Sequence, residues 1–237
     1  MKIYILTSDK NIKYVEGLQY CVNKYWNPNP NVVLLGYKEP LFKLDKNFKF
    51  VSLGEDRGAG KACDDIIKFF SKIPDKHFIF SVDDFYPIRE VKTNILDYLT
   101  DKMINEDISR IALTDQISSK GHEIIESFVN PNDSNDHFDT IEMGQSANYR
   151  KSAVWSMWTK DYFLKYFTND MSLWSWELDN KCKDDGHRII GTNNKYIIQS
   201  CHLFKRGSLK ADWFKDSESS DVMFDEDKSI ILDIIHS

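Results

Sequence analysis

The sequence contains no apolar run near the roughly 18–20 residues that a bilayer-spanning helix requires. Its first residues, MKIYILTSDKN, turn polar at Thr7, which is too early for the apolar core of a secretory leader. Basic side chains are not in excess, because 31 Lys and Arg accompany 37 Asp and Glu and the formal net charge is -6. That balance disfavours a duplex-binding domain, which commonly carries a basic face. We expect a soluble, cytoplasmic protein without a membrane span.

Cysteine, glycine and proline are also scarce. Cys21, Cys63, Cys182 and Cys201 form no CxxC pair and lack the neighbouring His spacing of a structural zinc site, which favours reduced thiols. The 10 Gly and 6 Pro form no linker-like stretch. By contrast, 41% of the residues are hydrophobic and 14% aromatic, enough for a sizeable core. The sequence predicts one domain over residues 1–237.

Short apolar runs alternate with amphipathic segments in the first half of the chain. This alternation is typical of an α/β protein with a Rossmann-like, mostly parallel central sheet flanked by helices. The predicted strands are 2–6, 32–35, 49–53 and 77–82, and the predicted helices are 11–25 and 60–72. The second half is less regular. There we predict a strand at 108–113, a long loop at 114–138, helices near Asp161 and over 172–184, and a strand at 196–199.

Two adjacent carboxylates, Asp83 and Asp84, follow the apolar strand 77–82 and precede Phe85 and Pro87. Adjacent carboxylates repel each other unless solvent, a donor or a cation neutralises them. Oxygen ligands of this kind suit Mg²⁺ or Mn²⁺ carrying a diphosphate. A solvated turn in which an Asp caps the next helix is the alternative interpretation.

Polar residues follow other predicted strands as well. Thr7, Ser8 and Asp9 come after the first strand, and the turn GEDRGAGK comes after the third. Ligands of parallel sheets bind beyond the carboxyl ends of strands, so these segments are eligible to meet in one crevice. The turn is not a P-loop, because its first glycine is one position too early and Ala62 replaces the Ser or Thr that binds Mg²⁺.

The run SLWSWELD places Trp174, Trp176, Glu177 and Asp179 together. Aromatic faces beside carboxylates are what a sugar ring uses for stacking and hydroxyl recognition, although such aromatics more often belong to a core. Glu177 could deprotonate an acceptor hydroxyl, or could be an exposed helix residue paired with Lys181.

His202 follows the last predicted strand, where an imidazole could complete a metal shell begun by Asp83 or Asp84. A hydrogen-bonded structural histidine is the commoner role. Lys205 and Arg206 could neutralise a diphosphate, or could be ordinary exposed basic residues.

Taken together, three blocks in order resemble the small nucleotide-sugar glycosyltransferases of the GT-A fold found in bacterial surface-polysaccharide clusters and phage genomes. The blocks are GAGKACDDIIKFFSKIPDKHFIFSVDDFYPI, ending in a DxD-type Asp-Asp-Phe, then QSANYRKSAVWSMWTKDYFLKYF, then SLWSWELD followed by HLFKRGS. The resemblance covers most of the chain. It departs from the family at Gly58-Ala59-Gly60, where a tryptophan is common.

The resemblance implies a metal-dependent transfer of a sugar from a nucleoside-diphosphate sugar to a glycan or other hydroxyl acceptor. Residues to about 115 would form the nucleotide-sugar half, and residues from about 116 the acceptor half. Glu177 would act as the base, which suits inversion, and Asp84 would serve catalysis through the metal. The remaining assignments are donor contacts by Thr7, Ser8, Asp9, Asp56, Lys61, Asp83, Lys205 and Arg206, acceptor contacts by Trp174, Trp176 and Asp179, and Mn²⁺ or Mg²⁺ ligation by Asp83, Asp84 and His202.

Two other classes of protein stay open. One is a sugar-binding module without catalysis. The other is a phage enzyme that glycosylates hydroxymethylated bases in DNA, suggested by a composition rich in Lys, Asn, Ile and Asp. A P-loop phosphotransferase is a weaker rival because of Ala62.

Overall fold

The computed structural model describes residues 1–114, 123–130, 133–193, 196–205, 208–209 and 222–236. These residues form two compact units that interleave along the chain. The first unit comprises 1–56, 80–93 and the described residues from 198 onward, and the second comprises the described residues of 57–79 and 94–197. The units do not coincide with the halves expected from the sequence, and the single-domain organisation stays a prediction.

Strands and helices alternate through most of the chain. The strands are β1 (Ile3–Leu6), β2 (Val32–Gly36), β3 (Phe48–Ser52), β4 (His77–Val82), β5 (Phe85–Pro87), β6 (Ile108–Ala112), β7 (Glu123–Asn130), β8 (Asp133–Glu142), β9 (Ser156–Thr159), β10 (Arg188–Asn193), β11 (Ser200–His202), β12 (Phe204–Lys205) and β13 (Ser208–Leu209). The helices are α1 (Val15–Tyr25), α2 (Ala62–Phe70), α3 (Thr93–Asn105), α4 (Lys160–Lys165), α5 (Leu173–Leu178) and α6 (Asp225–His236).

In the first unit, β3, β2 and β1 lie side by side in that order and pair in parallel. Ile3 pairs with Val32, and Val32 pairs in turn with Phe48, both in parallel register. All four residues of β1 are buried, as expected for a central strand that is covered on both faces. The carboxyl ends of these parallel strands therefore lie at one edge, as the sequence predicted.

The second unit orders its strands β9-β6-β10-β8-β7. Strands β6 and β10 are parallel, whereas β9 pairs antiparallel with β6, and β8 pairs antiparallel with both β10 and β7. The predicted α/β class, with a large central sheet flanked by helices, is confirmed. Strand pairing is parallel throughout β3-β2-β1 and mixed in the second unit.

Several predictions for the second half of the chain were wrong. Much of the segment 114–138, expected to be a loop, belongs to the strands β7 and β8. β8 reads DSNDHFDTIE and has little intrinsic strand preference, so its pairing with β10 and β7 decides its conformation. Residues 196–199 are not a strand, and strands lie on either side of them, at β10 and β11.

The predicted helix over 172–184 is shorter than expected. α5 ends at Leu178 because Asp179 adopts an extended backbone. The Asp179 side chain then accepts a hydrogen bond from the Lys181 amide, which starts a separate 3-10 turn at Asn180–Cys182. This is the local capping that an Asp favours over helix continuation.

No helix in the described parts of the chain is both long enough and apolar enough to cross a bilayer.

Candidate functional site

The carboxylate pair lies in the turn between β4 and β5, within the first unit. Asp83 donates its amide to the Leu6 carbonyl over 3.1 Å, which attaches this turn to the end of β1. The two carboxylates then contact different partners, so Asp83 and Asp84 lie in different environments.

Asp83 is buried and faces the end of β1. Its Oδ2 accepts a 2.5 Å hydrogen bond from the Thr7 hydroxyl, and its Oδ1 accepts a 3.4 Å bond from the Asn11 amide. Burial, together with the negative charge of Asp84, raises the pKa of Asp83 to about 7, against the opposing effect of those hydrogen bonds. Asp83 therefore fixes the turn against β1, and both of its oxygens are engaged by protein donors.

Asp84 faces His202, with Asp84 Oδ2 lying 2.8 Å from His202 Nε2. The antiparallel pairing of β5 with β11 creates this contact by placing His202 opposite Phe85. The His202 and Phe85 rings stack with centroids 4.7 Å apart, and the Leu203 amide donates to the Asp84 carbonyl. The structure thus brings together two of the predicted metal ligands across 118 positions of sequence.

The chemistry of this pair suits a divalent cation. Asp84 Oδ1 is buried and, among the described residues, has no hydrogen-bond partner. A carboxylate oxygen and an imidazole nitrogen are groups that Mn²⁺ accepts as ligands. No three His, Cys, Asp or Glu side chains of the described residues converge as a metal-holding group. A cation held by this pair would therefore need its other ligands from a bound molecule or water.

The loops after β1, β2 and β3 meet at Asp9. The Asp9 amide donates to Asp56 Oδ2 over 3.2 Å. Asp9 Oδ1 accepts from the Lys38 amide over 2.9 Å, and the Ser8 carbonyl accepts from the amides that open the following 3-10 turn. The structure therefore assembles Thr7, Ser8, Asp9 and Asp56 in one region, and Asp9 joins three strand ends rather than projecting alone.

The basic residues expected to contact a donor are placed differently. Lys61 belongs to the second unit, where it forms ion pairs with Asp170 and, at 3.8 Å, with Asp64. Lys205 ends β12, and Arg206 lies outside the described residues. The donor role of these basic residues stays a prediction.

The second unit holds the predicted acceptor residues on and just after α5. Glu177 Oε1 accepts hydrogen bonds from the Ser152 hydroxyl, 3.1 Å, and the Ala153 amide, 2.5 Å. Lys181, the alternative partner of Glu177 in the sequence, pairs with Asp179 at 3.6 Å. Glu177 is thus fixed in position by the segment that precedes β9.

The two tryptophans of α5 have opposite environments. Trp174 is 71% exposed, whereas Trp176 is fully buried. Trp176 stacks on Phe167 with the ring centroids 4.6 Å apart. Trp176 therefore presents no surface to an acceptor in this structure, and Trp174 does.

A pocket of about 250 Å³ adjoins α5 within the second unit. Both Glu177 and Asp179 line it. The remaining lining residues are Ala147, Asn148, Tyr149, Leu178, Asn180 and Cys182. Glu177, the predicted base, and Asp179, a predicted acceptor contact, therefore line the same pocket.

Sequence reasoning missed two residues that organise these sites. Asn11 holds Asp83 and shows no distinguishing pattern in the sequence. Arg110 is buried in β6 and donates to the Tyr149 and Arg150 carbonyls. A lone arginine inside the apolar strand ISRIA was a usable signal, because a buried charge requires partners. Burial lowers the pKa of Arg110 to about 10.

No protein-family model matches this sequence, and no curated protein matches it. Among solved structures, the fold is similar to the crystal structure of S. aureus TarS 1-349 in complex with UDP. The TM-score is 0.50 at 12% identity, over 82% of this chain and 58% of that chain. This chain therefore spans under two thirds of that TarS structure. The similarity supports the α/β, GT-A-like fold class that the sequence predicted.

Two further solved structures are similar at lower TM-scores. TarS 1-349 in complex with UDP-GlcNAc gives 0.46 at 12% identity, over 82% of this chain and 57% of that chain. UDP-glucose pyrophosphorylase complexed with UDP-glucose gives 0.42 at 13% identity, over 87% of this chain and 93% of that chain.

Proposed function

We propose that this chain is a metal-dependent glycosyltransferase that moves a sugar from a nucleoside-diphosphate sugar to an acceptor hydroxyl. The observation that carries the proposal is the contact of Asp84 with His202, in a turn that the Asp83 amide attaches to the carboxyl end of the parallel strand β1. Ligands of parallel sheets bind at this end of the strands. The similar fold of a chain that holds UDP supports the same class of donor.

Asp84 and His202 are the residues that would hold Mn²⁺ or Mg²⁺. Among the described residues, none donates to the buried Oδ1 of Asp84, and a bound cation would relieve this unfavourable condition. A divalent ion bound there would stabilise the negative charge that develops on a leaving diphosphate. Asp83 does not need to ligate the ion, since its bonds to Thr7 and Asn11 give it a positioning role.

The donor would be bound by the loops after β1 and β3, with Lys205 and Arg206 proposed as phosphate contacts. Thr7 orients Asp83, and the Asp9–Asp56 bond holds the two loops together. Because these contacts exist before any ligand binds, little ordering of the loops would be required on binding.

Glu177 is the proposed base that takes the proton of the acceptor hydroxyl. Its anchoring by Ser152 and Ala153 fixes the carboxylate, and it lines a pocket with room for an acceptor group. A base must lie within hydrogen-bond reach of the proton that it removes. Direct displacement assisted by such a base would invert the configuration of the transferred sugar.

The first test is thermal stability with a panel of nucleoside-diphosphate sugars, with and without Mn²⁺. A ligand that binds the native state raises the unfolding midpoint according to its occupancy. We expect a metal-dependent rise for one donor, lost in Asp84→Asn and retained in Asp97→Asn, an exposed carboxylate on α3 that serves as the matched control. An unchanged, metal-dependent rise in Asp84→Asn would contradict the metal assignment.

A sugar-binding module without catalysis is the second candidate, and the carboxylate-lined pocket favours it. Product analysis distinguishes the two. Turnover of a donor identifies a transferase, whereas sugar binding without any donor binding identifies the module.

A further inference from the structure

The pocket beside α5 has walls that are fixed by two buried arginines. Arg110 donates to the Tyr149 carbonyl at 2.9 Å and to the Arg150 carbonyl at 3.0 Å. Arg150 in turn donates to the Cys182 carbonyl at 2.8 Å. Tyr149 and Cys182 both line the pocket. The shape of the pocket is consequently set before a ligand arrives, which reduces the entropy lost on binding.

The polar lining of the pocket includes two carboxylates that differ in their hydrogen-bond partners. Glu177 accepts hydrogen bonds from Ser152 and Ala153. Asp179 Oδ2 is buried and has no hydrogen-bond partner among the described residues, with the Lys181 ammonium 3.6 Å away. A buried acceptor without a donor is unfavourable. A ligand hydroxyl entering the pocket could supply that donor.

The rim of the pocket is apolar and exposed. Tyr149 is 54% exposed and adopts φ +57°, a left-handed conformation that is uncommon for a bulky residue. Strained backbone of this kind persists where surrounding contacts hold it, and it concentrates at ligand sites. Leu178 is 43% exposed. Trp174, which is 71% exposed, lies four residues earlier on the same face of α5.

We propose that this pocket binds a single uncharged sugar ring. Such a ring has an apolar C–H face that stacks on an aromatic such as Tyr149, and hydroxyls that donate to carboxylates such as Asp179. The volume, about 250 Å³, lies below the roughly 300–1,000 Å³ of pockets for larger ligands, which suits one ring. The identification of this sugar as the acceptor of the transfer rests on the proposed function.

The charge of the pocket selects the class of sugar. Glu177 and Asp179 both face it, so a uronic acid or a phosphorylated sugar would bring like charge against them. Lys181 offsets part of the charge of Asp179 from 3.6 Å. We therefore expect neutral hexoses and N-acetylhexosamines to bind in preference to anionic sugars.

The test is saturation-transfer NMR on the full chain with glucose, galactose, N-acetylglucosamine and glucuronic acid, with affinities obtained by titration. At least one neutral sugar should bind about tenfold more tightly than glucuronic acid. Asp179→Asn and Tyr149→Asn should each lower the affinity for that sugar by about tenfold. Leu41→Ala, at an exposed position in the first unit, should leave the affinity unchanged. Asparagine tolerates a positive φ, so Tyr149→Asn removes the ring without adding backbone strain.

Failure of this inference is distinguishable from failure of the proposed function. UDP with Mn²⁺ is titrated into the same samples. UDP binding without saturable binding of any panel sugar overturns the pocket assignment and leaves the transferase standing. Equal affinity for glucose and glucuronic acid, or full sugar affinity in both variants, also overturns it. Neutral-sugar binding that the two variants weaken, without UDP binding, supports the pocket and rejects the transferase.

Discussion

The substitution Asp227→Asn should destabilise the first unit strongly. Asp227 lies in the first turn of α6 and is fully buried. Its carboxylate accepts hydrogen bonds from the Tyr20 hydroxyl at 2.7 Å, the Lys24 ammonium at 2.5 Å and the Tyr25 hydroxyl. All three donors lie on α1, so this one side chain attaches α6 to α1. Asparagine keeps the shape but loses the charge and one of the two acceptor oxygens.

The magnitude follows from those contacts. A hydrogen bond to a charged group contributes about 1.5–3 kcal/mol, and breaking a buried ion pair by removing one partner costs about 3–5 kcal/mol. Lys24 is about one third exposed and regains water when its partner is lost, which favours the lower end of that range. We expect a loss of about 3 kcal/mol, a large share of the ~5–15 kcal/mol typical of a folded protein.

The same contacts determine how the effect depends on pH. Burial alone would raise the pKa of Asp227, but the hydrogen bonds from Lys24, Tyr20 and Tyr25 prevail and lower it. A carboxyl with a lowered folded pKa stabilises the native state above its unfolded value of about 3.9, and this contribution is lost as the pH falls through the folded pKa. The difference in free energy of unfolding between the natural chain and Asp227→Asn should therefore be largest at neutral pH and shrink below about pH 4.

The measurement is urea denaturation followed by circular dichroism. With a slope of about 2–3 kcal/mol/M, a loss of about 3 kcal/mol lowers the midpoint by about 1–1.5 M. Asp225→Asn is the matched control, since Asp225 lies in the same turn of α6 but is fully solvated. If both variants unfolded at the same urea concentration, the reasoning about the buried cluster would be refuted.

Three further predictions concern the sites. Thr7→Val removes the hydroxyl that donates a hydrogen bond to buried Asp83, so it should lower the free energy of unfolding, measured by urea denaturation, by about 2 kcal/mol. It should also weaken the Mn²⁺-dependent binding of the nucleotide sugar. Unchanged stability would count against the positioning role of Asp83. Glu177→Gln should retain donor binding by calorimetry and lose transfer in a product assay, and undiminished transfer would remove Glu177 as the base. The affinity of the protein for duplex DNA should not fall steeply between low and high salt. A steep fall would favour a DNA acceptor.

The first parallel strands and the residues that follow them could be predicted from local sequence. β1, β2 and β3 lie within one residue of their predicted bounds, and Asp83 and Asp84 follow β4 as expected. Buried parallel strands are continuous apolar runs, so local composition reveals them. The same local signals place Thr7 and Asp9 at a strand end. Their meeting near the carboxylate pair follows from parallel pairing alone.

Which of these side chains contact each other depends on the tertiary structure. The Asp84–His202 pair depends on the pairing of β5 with β11, and β8 is a strand because β7 and β10 pair with it. Trp174 and Trp176 are two positions apart, yet one is exposed and the other buried, because neighbours on α5 face different directions. Contacts between residues distant in sequence leave no local pattern, so packing determines the partner of each carboxylate and the exposure of each aromatic side chain.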